Sequence, residues 1–156
     1  MTPDPKLPPA CCTFARASLA HLPAIMEIER ASFAEPWPES AFRGELANVD
    51  ARYFVALSPV GAVVGYGGYW RVAGEAHIMN IAVSPQARRL GVGRRLLGLL
   101  LRDAAGSGVG VAFLEVREDN APAIALYQEF GFSRCGYRAN YYAKENKGAV
   151  MMRADL

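Results

Sequence analysis

The segment that most constrains this chain is a strand, a turn and a helix in close succession. Met79-Asn80-Ile81-Ala82-Val83 is an apolar run of strand type, and Arg94 to Asp103 is a leucine-rich run of helical type. Between them lie Arg88-Arg89-Leu90-Gly91-Val92-Gly93. At a helix start the backbone N–H groups have no intrahelical partner, and the helix dipole adds partial positive charge. Glycine lets a phosphate approach the main chain without a Cβ in the way. Arg88, Arg89, Arg94 and Arg95 add cationic charge at the same turn. The segment therefore reads as a diphosphate cradle, with an ordinary solvated basic helix start as the alternative.

Spacing narrows the ligand. A P-loop needs G-x-x-x-x-G-K-[ST], and no lysine follows these glycines. The dinucleotide fingerprint G-x-G-x-x-G needs a third glycine where Leu96 stands, and it belongs to an opening strand rather than a late one. The order of residues does fit [QR]-x-x-G-x-[GA], with Arg88 in first place.

The chain has 156 residues, a length for one domain, and is 52% hydrophobic, enough for a substantial core. No apolar run approaches the ~20 residues of a membrane helix. Residues 1–10 hold four prolines and no continuous apolar stretch, so no signal peptide is expected, and residues 1–13 read as a proline-rich disordered tail. The net charge of +2 is too small to imply nucleic acid, and the arginine cluster lacks interleaved aromatics. Three cysteines without a C-x-x-C pattern point to a reducing, cytoplasmic setting. With His21 and His77 the only imidazoles, no metal-ligand spacing arises and no metal is expected.

The remaining elements follow from periodicity and punctuation. A strand is expected over 13–17, then a helix from an N-cap at Ser18 through Arg30 with Leu22, Ile25, Met26 and Ile28 inward. Pro36-Trp37-Pro38 breaks the chain, with Pro38 in the first turn of a short helix to about Leu46. Residues 52–57 and 62–72 read as a hairpin around Ser58-Pro59-Val60-Gly61, and 75–83 as the strand entering the cradle. Gly106-Ser107-Gly108 ends the leucine helix. A central strand spans 109–116, Asn120 caps a further helix with Gly131 past its end, and 132–137 and 149–153 are the last strands. The expected fold is one α/β (α+β) domain over 14–156, with a mixed central sheet and helices on both faces.

Residues 113–132, from Phe113-Leu114-Glu115-Val116-Arg117 through Asn120 and Tyr127 to Gly131-Phe132, together with the cradle and Asn80-Ile81-Ala82-Val83-Ser84-Pro85, resemble the GNAT acetyltransferases. Asn-Ile-Ala-Val, Leu-Glu-Val-Arg, Pro36-Trp37 and Arg138-Ala139-Asn140-Tyr141-Tyr142 make the chain most similar to the bacterial ribosomal-protein-alanine N-acetyltransferases. The likeness runs from about Phe14 to Met152.

The resemblance implies acetyl transfer from acetyl-CoA to a protein N-terminus, with the N-terminal alanine of a small-subunit ribosomal protein as first candidate. It implies Glu115 as general base and Tyr127 as general acid toward the CoA thiolate. Main-chain groups of Ile81, Ala82 and Val83 would bind the pantetheine arm, with Asn120 beside it. Arg88, Arg89, Leu90, Gly91, Val92, Gly93 and Arg94 would form the pyrophosphate loop. Trp37, Tyr141 and Tyr142 would line a peptide groove, where Glu35 is a candidate for meeting a basic second residue. Each residue also has a plainer role: Glu115 a surface carboxylate paired with an arginine, Tyr127 a core aromatic with Phe130, Asn120 a helix cap, the tyrosine pair packing. No cysteine lies in a nucleophile context, so direct attack is expected. Transfer to lysine or a small amine, and a non-catalytic acyl-CoA-binding module, are the alternatives; neither nucleic acid nor membrane is an expected partner.

Overall fold

Glycines in the third strand set the geometry around which the first half of the chain is built. In the computed structural model the described residues are 12–156. The expected tail over 1–13 otherwise lies outside them; Cys12 is buried and Thr13 already opens a strand. The elements in order are β1 (Thr13–Arg16), α1 (Leu22–Ser32), α2 (Glu39–Ala47), β2 (Ala51–Leu57), β3 (Val63–Val72), β4 (Glu75–Val83), α3 (Val92–Gly106), β5 (Val111–Arg117), α4 (Ala121–Glu129), β6 (Ser133–Tyr142) and β7 (Lys147–Asp155). The sheet order is β1-β2-β3-β4-β5-β7-β6. β4 and β5 pair in parallel, whereas β1–β2, β2–β3, β5–β7 and β6–β7 are antiparallel, so the sheet is mixed and the class α/β, as expected.

Two compact units are distinguished. The first holds the described residues up to Trp70 together with Met79–Leu100. Here Gly65 and Gly67 face the main chain of β4. A Cβ on Gly65 would lie 3.1 Å from the Ala82 carbonyl oxygen and 3.2 Å from Leu96 Cδ1; on Gly67 it would lie 3.3 Å from both the Asn80 oxygen and Leu100 Cδ1. The missing side chains let the α3 leucines close directly onto the strands, and Val92, Leu96, Leu97 and Leu100 are all buried. α1 contributes the expected stripe of Leu22, Ile25, Met26 and Ile28, packed with Phe42, Tyr53, Val55 and Tyr66.

Two starts differ from expectation. Ser18 caps a short 3-10 turn (Leu19–His21), its N–H donating to His21 Nδ1 at 3.0 Å, and α1 begins only at Leu22. Pro38 precedes α2 with extended backbone (ψ 157°) instead of lying in its first turn; both placements spare the helix interior a missing N–H.

The second unit is Arg71–Ile78 with Leu101–Leu156. β4 and β5 pair here at Glu75↔Val111, Ala76↔Ala112 and His77↔Phe113. β5 alternates in burial along its length, with Ala112, Leu114 and Val116 inward. Asn120 Oδ1 accepts the Ala123 N–H at 3.2 Å, the expected cap, and Gly131 follows α4 with φ +89°. β6 and β7 are longer than the sequence suggested. The polar stretch 144–148 holds a 3-10 turn (Ala143–Glu145), Asn146 with φ +53° and the start of β7.

A Cβ at Gly68 would sit 2.4 Å from the ring of Tyr53, which is 2% exposed and has nowhere to move. Gly68→Ala is expected to destabilise the protein by about 1–3 kcal/mol through overpacking. Urea unfolding that gives wild-type stability for this variant would show that the ring can yield.

Candidate functional site

The first unit carries the cradle. Arg89 (φ +62°) and Gly91 (φ +81°) are both left-handed, which turns the chain sharply from the end of β4 into α3. Leu90 packs on a core cluster with Val92 and Leu96, while Arg88, Arg89, Gly91 and Arg94 are exposed. Apolar side chains thus anchor the loop, and its basic side chains remain on the outside. A Cβ on Gly93 would meet only Val83 Cγ2, at 3.6 Å.

The four expected arginines divide by role. Arg88 Nε donates to the Val83 carbonyl at 3.0 Å and its terminal nitrogen to Ser32 Oγ at 3.1 Å, so it braces the loop against the end of α1. Arg95 lies over the Phe14 ring at 4.8 Å, a packing contact. Arg89 and Arg94 project outward. Of the strand positions, Ala82 is buried, and Ile81 and Val83 are half-buried. The Val83 carbonyl is already engaged by Arg88.

Trp37 lies in the same unit, in the segment between α1 and α2. Its ring packs on Phe42 with centroids 5.4 Å apart, and its N–H donates to Glu29 Oε2 at 3.1 Å. Glu29 itself is 1% exposed, and Tyr66 and Asn80 also donate to it. The sequence reading missed this carboxylate. Its only local signal is a charged residue on the inward stripe of α1, beside Ile25 and Ile28.

The second unit carries the titratable cluster. Glu115 shares with Phe113 and Arg117 the less buried face of β5. Arg117 is engaged elsewhere, 2.6 Å from Asp119. The arginine beside Glu115 is Arg138 of β6, 3.5 Å away. Tyr141 hydrogen-bonds to Glu115, and this bond, with burial, holds the Tyr141 hydroxyl up at about 12. The Tyr141 and Tyr142 rings meet edge to face at 5.0 Å. Burial, then the nearby Glu115 charge, raise Tyr142 as well.

A bulge makes this grouping. Between Arg138↔Ala149 and Tyr142↔Lys147 the β6–β7 register shifts, and Asn140 takes φ +57°. Such an irregularity re-aims side chains along a strand. Tyr127 of α4 packs edge to face on Phe132 at 6.0 Å, and burial pushes its hydroxyl up to about 12. Asn120 serves as the cap. Among the described residues no group of three or more His, Cys, Asp or Glu could hold a metal ion, and no helix is long and apolar enough to cross a membrane.

Residues 22–132 match the model of the acetyltransferase (GNAT) family. The chain belongs to the acetyltransferase (GNAT) family. It is 46% identical over 124 residues to an uncharacterized protein of Mycobacterium leprae, of whose length it spans about a third. It is 43% identical over 125 residues to the N-alpha-acetyltransferase RimI of Mycobacterium tuberculosis, covering 78% of this chain and 77% of that one. The crystal structure of the ribosomal-protein-S18-alanine N-acetyltransferase from Escherichia coli superposes with a TM-score of 0.86 at 34% identity, covering 92% of this chain and 93% of the other. The GNAT fold thus accounts for the mixed seven-stranded sheet and four helices of the described residues.

Raised phenols have a defined consequence with pH. For Tyr127 and Tyr141 the folded value of about 12 exceeds the unfolded value of about 10. The difference favours the folded state fully below pH ~10 and is lost as pH rises through the folded value. In a phenolate absorbance titration, Tyr127→Phe and Tyr141→Phe should each remove a component that ionises well above pH ~10. Loss of a component at the ordinary tyrosine position would contradict the burial and hydrogen bond assigned here.

Proposed function

We propose that the protein transfers the acetyl group of acetyl-CoA to the N-terminal α-amine of a protein, with the N-terminal alanine of a small-subunit ribosomal protein as first acceptor. The observation that carries this reading is the Glu115 carboxylate, held by Arg138 and Tyr141 on a strand of a GNAT family member. The likeness to proteins named RimI and ribosomal-protein-S18-alanine N-acetyltransferase supports the choice of acceptor.

The chemistry needs a neutral amine, a polarised thioester carbonyl and a proton for the leaving thiolate. An α-ammonium has a pKa of about 8 against about 10.4 for lysine, so one carboxylate acting directly or through water suffices for an N-terminus. Glu115 takes that proton. Tyr127 stays protonated throughout the neutral range, because burial raises it, and supplies a proton to the departing sulfur. Acetyl-CoA brings the activated thioester. The left-handed turn at Arg89 and Gly91, the outward Arg89 and Arg94 and the first-turn N–H groups of α3 suit its diphosphate. Ile81, Ala82 and Val83 offer main-chain groups to the pantetheine arm, as an added strand does, and Asn120 stands beside that arm. Trp37, Tyr141 and Tyr142 face the acceptor peptide. The reaction takes place in the cytoplasm and uses no metal.

Thiol release from acetyl-CoA, with mass spectrometry of the product, tests the acceptor. A hexapeptide beginning Ala-Arg is expected to gain one acetyl group at its free N-terminus, and an N-blocked peptide containing lysine none. Acetylation of lysine alone would replace the reading with a lysine acetyltransferase, and CoA binding without turnover would replace it with an acyl-CoA-binding module. Glu115→Gln is expected to lower kcat by about 10²–10⁴ with CoA affinity retained, and Tyr127→Phe to lower it in the same range. Unchanged turnover across pH in either variant would remove that residue from the mechanism.

A further inference from the structure

Glu29 is almost completely buried, yet it is used by none of the steps above. A buried carboxyl group is costly unless hydrogen-bonded, and here three donors from three parts of the chain converge on it. Tyr66 of β3 donates its hydroxyl to Oε1, Asn80 of β4 donates Nδ2 to the same oxygen at 3.3 Å, and the Trp37 backbone N–H donates to Oε2 at 3.1 Å. Oε1 thus binds the sheet, including the residue just before Ile81. Oε2 binds the segment between α1 and α2. That segment is also joined to α1 by the Phe33 N–H on the Glu29 carbonyl at 3.1 Å and to α2 by the Trp37 ring on Phe42, and the Glu29 carboxyl group links it to the sheet. The segment runs from Phe33, 40% exposed, through Glu35 and Pro36 to Pro38, and the two prolines offer no N–H.

We propose that Glu29 is the positioning residue of the acceptor side: its carboxyl group fixes Trp37 and the 33–38 segment at a set distance from the Asn80–Val83 strand, and so governs peptide binding without touching the reacting atoms. This rests on the reading of Trp37 as an acceptor-facing residue. Two physical points separate the role from mere core filling. The two oxygens are divided between sheet and segment, so one side chain couples them. The segment's contact is to a backbone N–H, which no change of the Trp37 side chain supplies or removes.

The choice of variants follows from donor and acceptor counting. In Glu29→Gln one oxygen remains. The amide nitrogen can turn toward Tyr66, whose hydroxyl also accepts, and leave the oxygen to Trp37. Glu29→Met fills a similar volume with no comparable acceptor. The Met variant is therefore expected to raise the KM for the Ala-Arg hexapeptide about tenfold, the effect of losing one such hydrogen bond, while the KM for acetyl-CoA stays within about twofold. The Gln variant is expected to restore peptide KM. Residue-resolved hydrogen exchange provides a readout independent of activity and, in the wild-type protein, of any variant's folding. In the wild-type protein the Trp37 N–H should be protected far beyond an open loop amide, and in Glu29→Met it should exchange faster while the α3 amides keep their protection.

An unprotected Trp37 N–H in the wild type overturns the proposal outright. So does a folded Glu29→Met variant with wild-type peptide KM, or with both KM values raised alike. A wild-type protein that acetylates no peptide N-terminus overturns the parent reading instead, and the exchange data then decide the tether by themselves.

Discussion

The close approach of β3 to β4 is the constraint on which the first unit depends. Backbone atoms of Asn80 and Ala82 lie where side chains at Gly67 and Gly65 would begin, and the α3 leucines fill the space immediately beside them. Packing at that distance leaves no slack, because interiors are close-packed and yield little to an added methyl group. β4 is therefore held on its β3 side and by α3 together, and the chain that leaves it enters the turn at a fixed point. Ser84 donates its N–H to the Val64 carbonyl at 2.8 Å, which extends this grip one residue beyond the strand. The left-handed Arg89 and Gly91 then bring the chain into Val92, which is itself buried. Under the proposed function a diphosphate would gain from such fixing, since order already present in the free protein need not be created on binding.

In the second unit the balance of forces around Glu115 is different. Its ion pair with Arg138 is long, 3.5 Å, and the arginine side chain is 55% exposed. Exposed pairs of this kind contribute ~0–1 kcal/mol. Under the proposed function an arriving ammonium would displace Arg138 at little cost, with the Tyr141 hydroxyl keeping its bond to the carboxylate. Nearby carboxylates have closer partners: Asp119 lies 2.6 Å from Arg117, and Glu118 accepts the Tyr137 hydroxyl at 2.5 Å. The Arg138 contact is thus a weak tie on the Glu115 carboxylate.

The parts of this architecture that were legible in the sequence are those with local signals. The bounds of β4, the Asn120 cap and the glycine after α4 each follow from a few adjacent residues, and each is found where expected. Ser18 was misleading because a 3-10 turn uses the same capping residues as a helix, and the difference lies in how the next residues pack. β6 was underestimated because most of its side chains are exposed, so it lacks the apolar alternation that marks a half-buried strand. Glu29 was invisible for a stronger reason. Its partners Tyr66 and Asn80 lie 37 and 51 positions away, and no local pattern shows that a carboxylate there will be enclosed. Arg138 had been noticed as part of a motif, but its nearness to Glu115 arises from two strands that β7 separates in the sheet order.

Tyr127 shows how packing sets the ionisation of a side chain. Its ring is fixed edge to face against Phe132, which is 3% exposed, and its own carbonyl accepts the N–H groups of Phe130 and Phe132 at 3.0 and 3.1 Å. The residue is thus held by both ring and backbone where α4 ends. The burial that holds the ring also disfavours the phenolate, and so keeps a proton on the hydroxyl at neutral pH. A free thiol has a pKa of about 8.5, so a thiolate leaving near neutral pH accepts a proton favourably in the end, whatever the donor. Under the proposed function Tyr127 supplies that proton and is then re-protonated from water. The core contact and the proposed proton-donating role do not compete, because a packed ring presents its hydroxyl as a fixed donor.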